Sequence, residues 1–125
     1  RSKEGALIAR SDGSIRVLET ASPPTFYLAP EALLEPLTII EGSSFCEWKG
    51  RATYFSYQNV RLAWRYDNPS DRFSRIDGWY SFYASLVDCY VDGIKVAAQQ
   101  GDFYGGWITP EVVGPFKGDP GTLGW

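Results

Sequence analysis

The sequence predicts a mainly β fold, a compact antiparallel domain with at most one short helix, on three observations. Two Asp-Gly pairs, Asp12-Gly13 and Asp92-Gly93, fall between strand-like runs. Both central residues of a type I′ hairpin turn need positive φ, and Asp-Gly supplies them at low strain. No segment carries apolar residues at helical spacing for more than two turns. Aromatic residues make up 16 % of the 125 residues, dense enough to fill the short runs between Gly, Pro and Asp. A chain of this length buries roughly two-thirds of its unfolded surface, so it sustains a core without metal or disulfides.

Taken in order, residues 5–19 (GALIARSDGSIRVLE) read as two strands around Asp12-Gly13. PPTFYL (23–28) is a short extended piece after two prolines. PEALLE (30–35) suits one helical turn with Pro30 at its start, where the missing N–H costs nothing. Pro36 ends it, and LTIIE (37–41) is an apolar strand candidate. VRLAWRY (60–66), GWYSFYA (78–84) and LVDCYVDGIKVAA (86–98) supply further strands, with a polar loop, DNPSDRF (67–73), between the first two. Residues 1–100 are expected to form the core. Residues 101–125, rich in Gly, Pro and aromatics, are expected to form an ordered tail packed on the core or on a partner chain, through Phe103, Tyr104, Trp107, Phe116 and Trp125.

Residues 43–57 (SSFCEWKGRATYFSY) pose a phase problem. Side chains alternate between the two faces of a strand. If Gln58-Asn59 is a two-residue loop, Tyr57 faces Val60, Phe55 faces Leu62 and Thr53 faces Trp64. Each face is then apolar over one half and charged over the other. One extra residue repairs the conflict, and a bulge within residues 48–52, at Gly50, is the expected place.

Composition excludes several chemistries. The chain has no histidine, so serine triads, Cys-His dyads and His-based zinc sites are absent. It has no Asp-x-Asp pair, and GDPGTLG (118–124) lacks the Lys-Ser ending of a phosphate loop. No metal and no cofactor is expected. A net charge of −3 offers no footprint for nucleic acid, and no apolar run approaches the ~20 residues that span a bilayer. Without a visible secretory signal, a reducing, cytoplasmic location is expected, with Cys46 and Cys89 as free thiols; the alternative the sequence leaves open is a disulfide between them.

The candidate site is a ligand-binding lip of Trp48, Lys49, Arg51, Tyr54 and Trp64: two cations among aromatic walls, suited to an anionic or planar ligand. The bland alternative is solvated charges on a strand edge. Cys46 is the catalytic candidate, a thiol whose pKa Lys49 or Arg51 would lower; its bland alternative is a small core residue. Cys89 reads as a buried strand residue. The aromatics Trp64, Tyr66, Trp79, Tyr80, Phe82 and Tyr83 read as core, with a surplus that would line a cleft.

Several motifs together resemble a bacterial family, the domain of unknown function numbered 427. They are Ser11-Asp12, Phe26-Tyr27 with Pro30, and Cys46-x-Trp48-Lys49-Gly50-x-Ala52-x-Tyr54. Ala63-Trp64-x-Tyr66, Phe82-Tyr83 and Asp92-Gly93 complete the set. Glu47 stands where the family has proline. The resemblance covers about residues 5–96 and implies a β-tent architecture and, from a label some catalogues attach, a nucleotidyltransferase-like assignment. Fold analogy does not carry function. Three readings therefore stand. The first is binding of a small anionic or planar metabolite. The second is a small enzyme using Cys46 or Lys49. The third is an interaction module, with homo-oligomerisation through the tail. No nucleic-acid or membrane partner is expected.

Overall fold

The computed structural model describes residues 1–18, 23–46, 50–99 and 105–109, and it is mainly β. In chain order the strands are β1 (Ile15–Val17), β2 (Thr25–Tyr27), β3 (Thr38–Cys46), β4 (Gly50–Tyr57) and β5 (Val60–Asp67). They continue with β6 (Tyr80–Phe82), β7 (Tyr90–Val91), β8 (Ile94–Lys95), β9 (Ala97–Ala98) and β10 (Trp107–Ile108). A four-stranded antiparallel sheet runs β3-β4-β5-β6, and β1-β2, β7-β8 and β9-β10 form antiparallel ribbons. An isolated bridge between Leu28 and Tyr80 ties the β1-β2 ribbon to the edge of the large sheet. Pro30–Ala32 forms the expected turn, of 3-10 type, with Pro30 in its first position. A second 3-10 stretch, Asp71–Ile76, kinked at Phe73, occupies ground that the sequence gives partly to a polar loop.

Two expected hairpins are present. Val91 pairs with Ile94 across Asp92 (φ 50°) and Gly93 (φ 79°), and Tyr57 pairs with Val60 across Gln58 (φ 49°) and Asn59 (φ 66°). Two consecutive left-handed residues match the right-handed twist of the strands they join.

The hairpin expected at Asp12-Gly13 does not form. Neither residue is left-handed. Ile15–Val17 pairs with β2 instead, and the preceding run pairs with residues 32–34: the Leu34 amide donates to the Ile8 carbonyl (2.7 Å) and the Arg10 amide to the Ala32 carbonyl (3.0 Å). The reason is packing. Ile8 is buried in the main cluster with Phe26, Leu28, Phe55 and Phe82, whereas Val17 is buried with Tyr27 and Ile76. A closed hairpin would hold both arms on one ribbon and forfeit one of these burials, each worth roughly 1.5–3 kcal/mol.

The phase repair lies elsewhere than expected. Residues 43–57 are not one kinked strand: β3 ends at Cys46, which pairs antiparallel with Gly50 at the start of β4. The extra residue that sets the β4-β5 register is Leu62, since Ser56 pairs with Arg61 but Phe55 pairs with Ala63. Thr53 consequently faces Arg65, and Tyr54 faces Trp64. The bulge turns Leu62 into the core, and its carbonyl accepts from the Tyr83 amide (3.0 Å). A second register shift lies in β3 between Ile40 and Ser43.

The segment 105–109 closes the fold. The Trp107 ring stacks on Phe26 (centroids 4.9 Å apart, 17° between planes), and its indole N–H donates to the Phe82 carbonyl (2.9 Å). The backbone amide of Trp107 donates to the Pro24 carbonyl (2.8 Å). Phe103, Tyr104, Phe116 and Trp125 lie outside the described residues.

Candidate functional site

The large sheet separates the sequence-predicted site residues. Alternation along β4 puts Tyr54 on one face and Arg51 on the other. On the first face the Arg61 guanidinium lies over the Tyr54 ring (4.9 Å) and near the Tyr83 ring (5.7 Å). Trp64, fully packed, meets Tyr83 (4.5 Å) and meets Tyr27 edge-on (6.4 Å). Burial pushes the Tyr83 hydroxyl pKa up, with Arg61 opposing. Gly105 seals this face, because a Cβ there would stand 2.0 Å from the Trp64 ring. Tyr54 and Trp64 are thus paired across β4 and β5, with Arg61 over the Tyr54 ring, beside which the strand spacing also sets it.

On the other face Arg51 is exposed and stands opposite Asp67 in the register. Asp67 is bound by Arg65, whose Nε and Nη2 donate to its carboxylate (3.0 and 3.3 Å). Arg65 also donates to the Tyr80 hydroxyl (3.0 Å) and lies over the Phe55 ring (5.0 Å). The Cys46 backbone closes β3 beside Gly50. The Cys46 side chain, Trp48 and Lys49 lie outside what is described.

A cleft of about 510 Å³ opens elsewhere, between the N-terminal segment, β2, β6 and the run 87–92. Its floor is apolar: Ile8, Phe26, Leu28, Phe82, Val87 and Trp107. Its mouth carries Arg10, Ser11, Asp12 and Ser14 on one side and Asp88, Tyr90 and Asp92 on the other. That volume lies within the ~300–1,000 Å³ typical of small-molecule sites, which likewise combine an apolar lining with a few polar groups. The floor residues come from five separate stretches, so no local motif announces them. The signal that could have found them is the Phe-Tyr pairs. In Phe26-Tyr27 and Phe82-Tyr83 the Phe faces the cleft, while Tyr27 and Tyr83 meet Trp64 on the far side.

Cys89 lines this cleft and is buried, one residue ahead of β7 rather than within a strand. It is a free thiol, its Sγ 3.9 Å from the Val87 carbonyl. Burial pushes the thiol from about 9 up to about 12. It is therefore a protonated wall atom at neutral pH, not a nucleophile. Alkylation with iodoacetamide at pH 7 should leave the Cys89 peptide unmodified in folded protein and modify it in urea, as read by mass spectrometry. Because the folded thiol titrates above the unfolded one, its contribution to stability is complete below pH 9 and is lost as pH climbs toward 12. Cys89→Ala should flatten that part of the stability profile. Labelling of Cys89 in the native state would overturn this assignment.

Asp88, at the mouth, accepts from Lys3 (2.8 Å) and contacts Lys95 (3.3 Å), and these hydrogen bonds hold its carboxyl below the usual range. Among the described residues no group of three or more His, Cys, Asp or Glu is placed to hold a metal ion. Among them, too, no helix is long and apolar enough to cross a membrane.

Fold and site together define a small mainly β domain with an aromatic core and an aromatic-floored cleft. The chain belongs to the family described as Domain of unknown function (DUF427), whose model, labelled NTP_transf_9, matches residues 2–93. No curated protein matches the chain.

Proposed function

We propose that this protein binds a small planar organic molecule in the cleft over Phe26, Phe82 and Trp107. The observation that carries the reading is the cleft itself: an apolar floor rich in aromatic rings under a polar mouth, in a volume suited to a metabolite. Stacking on such a floor favours flat ligands, at roughly 0.5–1.5 kcal/mol per aromatic contact beyond area burial. The sequence motifs point the same way. Ser11-Asp12, Phe26, Phe82 and Asp92, which carry part of the family resemblance, all contribute to this wall. The planar half of the sequence expectation is the half that this cleft supports. Its cations are Arg1 and Arg10 rather than the Lys49–Arg51 lip, and three carboxylates, Asp12, Asp88 and Asp92, accompany them.

Titration of the folded chain with small planar fragments, followed by amide NMR, tests the reading. The expected result is shifts at Phe26, Phe82 and Cys89. Ser14 is exposed at the mouth, so Ser14→Trp should block entry and weaken binding at least about tenfold with stability unchanged within about 0.5 kcal/mol. Binding that is indifferent to Ser14→Trp, or shifts confined to other surfaces, would remove the cleft from consideration.

A further inference from the structure

The charges at the cleft mouth are not equally available. Among the described residues, five charged side chains line it: Arg1, Arg10, Asp12, Asp88 and Asp92. The Arg1 guanidinium donates to the Gly5 carbonyl (2.9 Å), and the Asp88 carboxylate is taken by Lys3 and Lys95. For the side chains of Arg10, Asp12 and Asp92 the structure records no hydrogen bond and no ion pair among the described residues. One guanidinium and two carboxylates are thus left to face a ligand. They stand on separate elements: Arg10 and Asp12 on the bend before β1, Asp92 in the turn between β7 and β8.

A purely anionic ligand would satisfy Arg10 but set its charge beside Asp12 and Asp92. A purely cationic ligand would satisfy the carboxylates and repel Arg10. A neutral ligand would use the floor alone and leave all three charges partly desolvated at its edge. One chemistry meets the whole mouth. We infer that the cleft takes an amphoteric small molecule, an apolar or aromatic body carrying one carboxylate and one ammonium group, as a free aromatic amino acid does. The body lies on Phe26, Phe82 and Trp107; the carboxylate meets Arg10, and the ammonium group meets Asp12 or Asp92. This rests on the cleft being a binding site, and it adds which ligand class the site selects.

The test is a comparison of four probes of similar size on the full chain: phenylalanine, 3-phenylpropionate, phenethylamine and benzyl alcohol, each titrated by amide NMR. Phenylalanine should bind at least about tenfold more tightly than any of the other three, the gain expected of one added charge-assisted contact. Arg10→Gln should weaken phenylalanine and 3-phenylpropionate and leave phenethylamine unchanged or stronger. Asp12→Asn with Asp92→Asn should weaken phenylalanine and phenethylamine and leave 3-phenylpropionate unchanged or stronger. The preference for phenylalanine should also shrink as salt rises, since the mouth is exposed. Equal binding of all four probes, with shifts at Phe26 and Phe82, would overturn the ligand class and leave the cleft as a planar-ligand site. No shift at the floor with any probe would overturn both.

Discussion

Trp107→Ala is expected to destabilise the protein by about 4 kcal/mol, within the range for removing a large buried aromatic. Trp107 is almost wholly buried, stacks on Phe26 and hydrogen-bonds the Phe82 carbonyl. Its removal leaves a cavity against both cleft-floor rings and an acceptor without its donor. For a domain of this size the melting temperature should fall by roughly 10–20 °C. Trp107→Phe keeps a ring to stack on Phe26 while losing the indole N–H and part of the ring volume, so the fall should be smaller, about 1–3 kcal/mol. Chemical denaturation of both variants decides the matter. A Trp107→Ala protein as stable as the parent would show that the segment 105–109 does not close the core.

Gly50→Ala should cost about 3 kcal/mol, and the cause is backbone rather than side chain. Gly50 adopts φ +84°, where a Cβ is strained by about 1–2 kcal/mol. A Cβ there would also stand 2.5 Å from the Asp67 carbonyl oxygen and 2.9 Å from that of Asn68. Neither atom is the free end of a side chain, so the start of β4 must part from the end of β5. Gly13 is the control. Its φ is not positive and its Cβ would meet nothing within 4 Å, so Gly13→Ala should be neutral within about 0.5 kcal/mol. Equal melting temperatures for the two variants would discard the account given for Gly50.

The turns show how much of this fold was legible in the sequence. Asp92-Gly93 and Gln58-Asn59 were readable because a two-residue loop fixes its own geometry and the strands beside it have no better partner. Asp12-Gly13 has the same local chemistry and fails, because Ile8 and Val17 are claimed by different clusters. That competition is tertiary, and no dipeptide records it. The phase conflict in β4 and β5 was also legible: the sequence requires one extra residue in that register. It does not say which strand carries it. Gly50 was the obvious host, yet a glycine is equally needed where a strand begins hard against its neighbour, and the bulge falls instead at Leu62, whose side chain gains the core. The aromatic cluster was readable as core by density alone. The cleft was not. Its floor joins Ile8, Phe26, Phe82 and Trp107 from across the chain, and only the crossing of β2, β6 and β10 brings them together.

That crossing also dictates an order of events during synthesis. Phe26 and Phe82 emerge from the ribosome well before Trp107, and the stack of Trp107 on Phe26 closes a loop spanning most of the described chain. The hairpin of β4 and β5 needs only neighbouring residues and can assemble as soon as both strands are out. A nascent chain therefore passes through a stage with its central sheet formed and its apolar floor bare, the kind of surface that chaperones hold and proteases sample. Translation stalls or nonsense codons upstream of residue 107 would freeze the product at that stage. Such fragments would be marked for degradation by the same surface that Trp107 packs against in the finished protein.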